Sequence, residues 1–155
     1  PYAAQPNMPR SATLQDMVIK PILQDRFVLF APAEHALVRS EHISLADFAD
    51  AQHVLVSPQG RGRGIVDQIL KKHGLVREIA HRSWSFGLAA QLALTTNSVA
   101  ILPERFANHY PSAKTRSLPF EIEPLPSFIA WHASRTSDQA HRWVRRRLMR
   151  HFEGQ

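Results

Sequence analysis

Cysteine is absent from the 155 residues, which excludes disulfides, thiolate metal ligands and a nucleophilic thiol, and agrees with a reducing, cytoplasmic setting. Glycine is scarce, at six residues, three of them in Gly60-Arg61-Gly62-Arg63-Gly64. No apolar stretch approaches the roughly 18 residues that a membrane-spanning helix needs. The opening Pro1 to Arg10 lacks the basic-then-apolar order of a secretory leader. A start at Pro1 rather than methionine reads as a piece cut from something longer.

Catalytic signatures are missing too. The nine histidines form no HExxH and no pair at helical i, i+4 spacing, so no metal site is expected. Ser57 and Ser85 stand at element ends, where α/β folds expose side chains, but neither lies in a G-x-S-x-G elbow. Asp47 and Asp67 read as capping or surface carboxylates, not as an acid–base pair. The chain is read as a non-enzyme with no catalytic residue, no metal and no cofactor.

What is present is ordinary globular material, 44% hydrophobic and 21% charged, enough for one domain or two small lobes without staples. The net charge is +6 and the pI near 10.5. Much of the excess sits in the glycine-rich loop and in the last helix, at Arg142, Arg145, Arg146, Arg147 and Arg150. Consecutive arginines at 145 to 147 sweep around a helix, which favours a solvated surface over a DNA-tracking stripe.

Residues 1 to 21 read as extended or loop. Apolar runs at 27–31, 53–57, 79–84, 98–102 and 128–132 read as strands, with a further short one at 115–119. Ser44 and Asp47 have the spacing of a capping box opening a helix through Ala49. A helix from Arg63 to His73, stopped by Gly74, carries Ile65, Val66, Ile69 and Leu70 as its buried stripe. Another starts at Phe86 after Ser83 or Ser85 and ends near Asn97. Pro103 suits the first turn of a short helix through Tyr110. The closing helix starts after Ser137 or Asp138, with Ala140, Val144, Leu148 and Phe152 as its apolar line. Strands alternating with helices predict an α/β fold with a largely parallel sheet.

In such folds ligands sit beyond the carboxyl ends of strands. The Gly60 to Gly64 loop follows a strand and opens a helix, so its amides could take a small anion, with Arg61 or Arg63 assisting. It matches neither G-x-x-x-x-G-K-[ST] nor G-x-G-x-x-G, which argues against nucleotides. Trp84 and Phe86 flank Ser85 and could wall an aromatic acid, although Phe86 could equally belong to the core.

The order of segments then resembles a known family. Asp25-Arg26-Phe27-Val28-Leu29, Ala33-Glu34-His35-Ala36-Leu37 and Ile43-Ser44-Leu45-Ala46-Asp47-Phe48-Ala49 are similar to the effector-binding region of LysR-type transcriptional regulators. Val66-Asp67-Gln68-Ile69-Leu70 with Gly74-Leu75, Ser98-Val99-Ala100-Ile101-Leu102-Pro103, and Trp131-His132 with Arg142-Trp143-Val144-Arg145 extend the likeness over about residues 22 to 150. The ending resembles the branch of nodulation and aromatic-degradation regulators.

The resemblance implies a periplasmic-binding-protein-like domain of two α/β lobes with a small organic, aromatic acid held in the cleft between them. On that pattern residues 51–125 form a complete second lobe. Residues 1–50 and 126–155 form a partial first lobe, whose opening β-α-β-α portion is missing. Cleft contacts map to Ser57, Gln59, Gly60, Arg61, Arg63, Trp84, Ser85, Phe86 and Pro103. It also implies a homodimer or homotetramer, and DNA contact only through a helix-turn-helix domain that this chain lacks. RNA polymerase is a candidate further partner, and no membrane is involved. Two rival readings remain at this stage: a solute-binding protein of a transport system, and an α/β enzyme acting on a small acid.

Overall fold

The computed structural model describes residues 16–57 and 64–153. In chain order the elements are β1 (Met17–Asp25), β2 (Phe27–Pro32), α1 (Ala36–Arg39), α2 (Leu45–Asp50), β3 (Gln52–Val56), α3 (Ile65–Lys72), β4 (Glu78–Ser83), α4 (Phe86–Thr96), β5 (Val99–Pro103), α5 (Glu104–Ala107), β6 (Ala113–Arg116), β7 (Leu125–His132) and α6 (Gln139–Glu153). The α/β class agrees with the sequence reading. Two compact units emerge: Gln24–Leu125, and the residues up to Leu23 together with Pro126 onward.

The larger unit is built on one five-stranded sheet of order β4-β3-β5-β2-β6. The expectation of a largely parallel sheet needs correction. β3 runs parallel to β4 and to β5, but β2 is antiparallel to both β5 and β6. Only the two crossovers through α3 and α4 enforce parallel pairing, because a helix must carry the chain back to the same end. β2 therefore lies inside this sheet, between β5 and β6, and residues 24–50 fold with 51–125. The lobe boundary expected at residue 51 is drawn instead between residues 23 and 24.

The pleat sorts the side chains into two cores. On one face Val28, Phe30, Val54, Ala100 and Leu102 pack under Ala89, Ala90 and Ala93 of α4. On the other, Leu29, Ala31 and Val99 pack under Val66 and Leu70 of α3, with Leu37, Val38, Phe48 and Ala49 from α1 and α2. The largest side chain of the first core is Phe30 and of the second Phe48, whose ring meets Phe120 edge-on at 5.1 Å.

Local signals behave as their chemistry requires. Ser44 Oγ accepts from the Asp47 amide at 3.0 Å, and the Asp47 carboxylate accepts from the Ser44 amide at 3.2 Å, closing the capping box of α2. Gly74 follows α3 with φ +71 and Asn97 follows α4 with φ 50, the left-handed turn that lets following amides donate to a helix's last carbonyls. Ile65 departs from the expected buried stripe of α3: it is 39% exposed, whereas Val66 and Leu70 are buried. It sits in the first turn, before the helix settles onto the sheet.

In the smaller unit β1 and β7 pair as a two-stranded sheet, and α6 follows a single 3-10 turn at Ala133–Arg135. The Asp138 carboxylate accepts from the His141 amide at 3.1 Å and so caps α6. The line Ala140, Val144, Leu148 is not the buried side of this helix. Val144 and Leu148 are 47% and 43% exposed. Arg145 is the residue turned inward. It stacks on the Trp131 ring at 4.6 Å and donates to the carbonyls of Arg135 and Thr136 at 3.0 and 2.8 Å.

Candidate functional site

The carboxyl ends of β3, β4 and β5 share one edge of the larger unit's sheet. Register pairs Val56 with Ser83, and Ser57 continues the ladder by donating its amide to the Ser83 carbonyl at 2.7 Å. The β3–β5 register of His53 with Val99, carried four residues on, sets Pro103 level with Ser57. Three neighbouring strand ends at the usual spacing span about 10 Å, the width of one small ring-sized ligand.

The chain leaves this edge in opposite directions. After β3 it goes to α3 on one face of the sheet, and after β4 to α4 on the other. Connections that diverge from adjacent parallel strands leave a crevice between them, the usual ligand position in open α/β sheets.

Each residue anticipated from the sequence has a definite place, apart from Gln59, Gly60, Arg61 and Arg63, which lie outside the described residues. Ser85 is the N-cap of α4, its Oγ accepting from the Leu88 amide at 3.3 Å. Trp84, between the end of β4 and that cap, is 71% exposed. Ser57 is half-buried at the strand end. Phe86 belongs to the core margin: its ring lies 6.0 Å from Phe106, which in turn meets Tyr110. Pro103 is buried and is the residue from which α5 starts. Ser57, Trp84 and Ser85 thus share the rim, while Phe86 and Pro103 support it from behind.

Ser83 was not anticipated as part of this edge. It is 2% exposed, and its Oγ donates to the Ser85 carbonyl at 2.8 Å and accepts from the Ser85 amide at 3.2 Å. That double bond to the backbone fixes the turn in which Trp84 is presented. A serine two residues before a helix cap is a readable signal for such a turn.

The starts of the two helices differ electrostatically. Gly64, the N-cap of α3, gives its amide to the Asp67 carboxylate at 2.8 Å, so an internal anion already occupies that end. The first turn of α4 carries no acidic residue and is capped by the neutral Ser85 hydroxyl, so its dipole meets no carboxylate there.

Asp67 is itself held by Arg77, whose Nε and Nη2 reach the two carboxylate oxygens at 3.1 and 3.0 Å. Both side chains are buried, at 3% and 8% exposure. Arg77 Nη1 also faces His53 Nδ1 at 3.5 Å, and His53 Nε2 donates to the Phe48 carbonyl at 2.7 Å. A carbonyl can only accept, so the His53 proton sits on Nε2 and Nδ1 offers its lone pair to Arg77. Burial pushes His53 down to about 4, with the nearby Arg77 charge adding to the effect. The chain Phe48–His53–Arg77–Asp67–Gly64 ties α2, β3, α3 and the approach to β4 together.

A shallow hollow of about 290 Å³ lies between α3 and residues 75–77, lined by Asp67, Gln68, Lys71, Leu75, Val76 and Arg77 among others. Its two buried charges are spent on each other, so the rim at Ser57, Trp84 and Ser85 is the stronger candidate. Among the described residues no group of three potential metal ligands gathers, and no helix is long and apolar enough to cross a membrane.

Comparison with known proteins agrees with this fold. The HTH-type transcriptional activator NagR of Ralstonia sp is 26% identical over 134 residues, which is 84% of this chain and 44% of NagR. The chain thus spans less than half the length of this relative. The regulatory domain of MexT, a transcriptional activator in Pseudomonas aeruginosa, superposes with a TM-score of 0.71 at 25% identity over 86% of this chain and 67% of that one. The BenM effector-binding domain with its effector benzoate gives 0.59 at 16% identity, over 91% of this chain and 65% of that one, a likeness of fold alone. The family model for the LysR substrate binding domain matches residues 7–153. The chain belongs to that family.

Proposed function

We propose that this chain senses a small aromatic carboxylic acid at the rim formed by Ser57, Trp84 and Ser85, as the effector-binding part of a longer transcriptional regulator. The observation that carries the reading is Trp84. A large indole left 71% exposed costs hydrophobic free energy unless a partner covers it, and it stands beside a helix start with no internal counter-charge. An aromatic ring on Trp84 and a carboxylate toward the first turn of α4 would use both features. Ser57 and Ser85 supply hydroxyls at the same edge. Gln59, Gly60, Arg61 and Arg63 are proposed as further contacts from the adjoining loop. The benzoate bound by the BenM domain is consistent with this ligand class in the same fold.

In the full regulator the ligand would act by binding one arrangement of an oligomer better than another. Such an oligomer would be a homodimer or homotetramer that contacts DNA through a separate helix-turn-helix domain. Calorimetric or fluorescence titration of the chain with benzoate, salicylate, cyclohexanecarboxylate and benzamide tests the chemistry. Benzoate or salicylate should bind most tightly, the saturated acid more weakly and the neutral amide least. Trp84→Ala should weaken aromatic-acid binding about tenfold, equivalent to about 1.4 kcal/mol. Ser85→Trp should block the rim without unfolding the chain. Unchanged titrations in both variants would sink the site, and equal binding of benzamide would sink the ligand class.

A further inference from the structure

The outward side of α6 differs from the one that its run of arginines suggests. At 3.6 residues per turn, Arg142, Arg146 and Arg150 fall in one row, with Trp143 and Arg147 beside it. All five are exposed, Trp143 to 65%. Arg145, the residue that made the run look like a collar of charge, is withdrawn onto Trp131. What is left is a single basic face.

That face is unbalanced. From Gln139 to Glu153 the helix has no acidic residue except Glu153 itself. The ion pairs among the described residues are Arg26–Glu104, Arg39–Glu34, Arg77–Asp67 and Arg135–Asp138, and none includes an arginine of this row. The recorded bonds of these arginines go to backbone carbonyls, Arg142 to Ser137 at 3.2 Å and Arg150 to Arg146 at 3.3 Å.

We propose that this face of α6 binds the phosphate backbone of double-stranded DNA, independently of sequence. Nine residues of helix carry its four guanidinium groups over about 12 Å, against a duplex with one negative charge per roughly 1.7 Å of axis. Guanidinium forks match phosphate oxygens in pairs, and all four cations here are arginine, not lysine. The row presents donors and no acceptor side chain. Phosphate oxygens only accept, so a duplex leaves nothing unpaired on such a surface, whereas a protein partner would bring its own donors. Backbone contacts of this kind position a protein on DNA without reading bases. The inference stands apart from the effector site, which lies in the other unit.

The test is a salt titration of the full 155-residue chain with a fluorescein-labelled duplex of mixed sequence, followed by anisotropy. Four phosphate contacts predict a log–log slope of about −3 to −4. Arg146→Ala should make it shallower by about one, and Arg142→Ala/Arg146→Ala/Arg150→Ala should nearly flatten it. The Arg61→Ala/Arg63→Ala variant should keep the parental slope. Thermal melts establish that each variant is folded, and if the triple variant is not, the Arg146→Ala slope decides. A parental slope in the folded triple variant overturns the proposal, as does a slope lost only when Arg61 and Arg63 are removed. Polyglutamate binding more tightly than the duplex at equal salt would also overturn it, in favour of an acidic protein segment.

Discussion

The two units of this chain solve burial in opposite ways. Among the described residues every buried hydrophobic side chain lies between Val28 and Ala107, inside the larger unit. In the smaller unit the buried side chain is a charged one, Arg145, while Ile19, Phe128, Trp143, Val144 and Leu148 stand 42% to 65% exposed. One sheet covered on both faces generates two dry cores. A two-stranded sheet and one helix cannot enclose comparable apolar surface. The lesson is that the same kind of residue carries different weight in the two units: Leu102 is structural in the larger, while Leu148 is largely a surface group in the smaller.

Paired arginine substitutions break the comparison most sharply. Arg77→Met leaves the Asp67 carboxylate buried without its counter-charge, and removal of one partner from a buried ion pair costs about 3–5 kcal/mol. Arg145→Met gives up one ring contact and two bonds to carbonyls but strands no opposite charge, which amounts to about 1–2 kcal/mol. Urea unfolding of the two variants should separate them by at least about 2 kcal/mol. Equal losses would show that the smaller unit holds its buried charge as firmly as the larger.

A pH series probes the larger unit alone. Burial holds His53 at about 4, well below its ordinary 6.5. Between those values the unfolded chain takes up a proton that the folded chain refuses, so stability falls as pH drops through that window. The shift is worth about 3 kcal/mol over its full width. His53→Gln can still donate to the Phe48 carbonyl but does not titrate. Wild type should therefore lose about 3 kcal/mol more than His53→Gln between pH 6.5 and pH 4. Parallel pH profiles would mean that His53 is protonated in the folded chain.

Local chemistry made parts of this legible in the sequence. Ser44 with Asp47, Ser85 before Phe86, and Gly74 and Asn97 after their helices each declare a helix end within three or four residues. The rim of the candidate site followed from that, because strand ends and caps locate Ser57, Trp84 and Ser85. Partners distant in sequence were not legible. β2 pairs with strands some seventy and eighty residues later, and nothing in Phe27–Pro32 announces an antiparallel neighbour. Arg77 gave no sign of its bond to Asp67 ten residues earlier. The closure of Gly64 by Asp67 was not legible either, because it depends on the carboxylate folding back over its own turn. Arg145 was hidden in a run of like residues; only the position of Trp131 decides which arginine turns inward.

The smallest effect bears directly on whether the smaller unit has a core. The spacing of Ala140, Val144, Leu148 and Phe152 is that of a buried line, yet Leu148 is 43% exposed while Leu102 in β5 is fully buried. Leu102→Ala should cost about 2–5 kcal/mol, from lost transfer energy and the cavity left between sheet and α4. Leu148→Ser exchanges surface already in water for surface more at ease there, so its effect should stay within about 0.5 kcal/mol. Hydrogen exchange sharpens the reading, since amides of β1 and α6 should exchange faster than those of β2 and β5 in wild type, and Leu148→Ser should leave that order intact. A Leu148→Ser cost as large as that of Leu102→Ala would mean that α6 buries this line in solution, and the contrast between the units would fall with it.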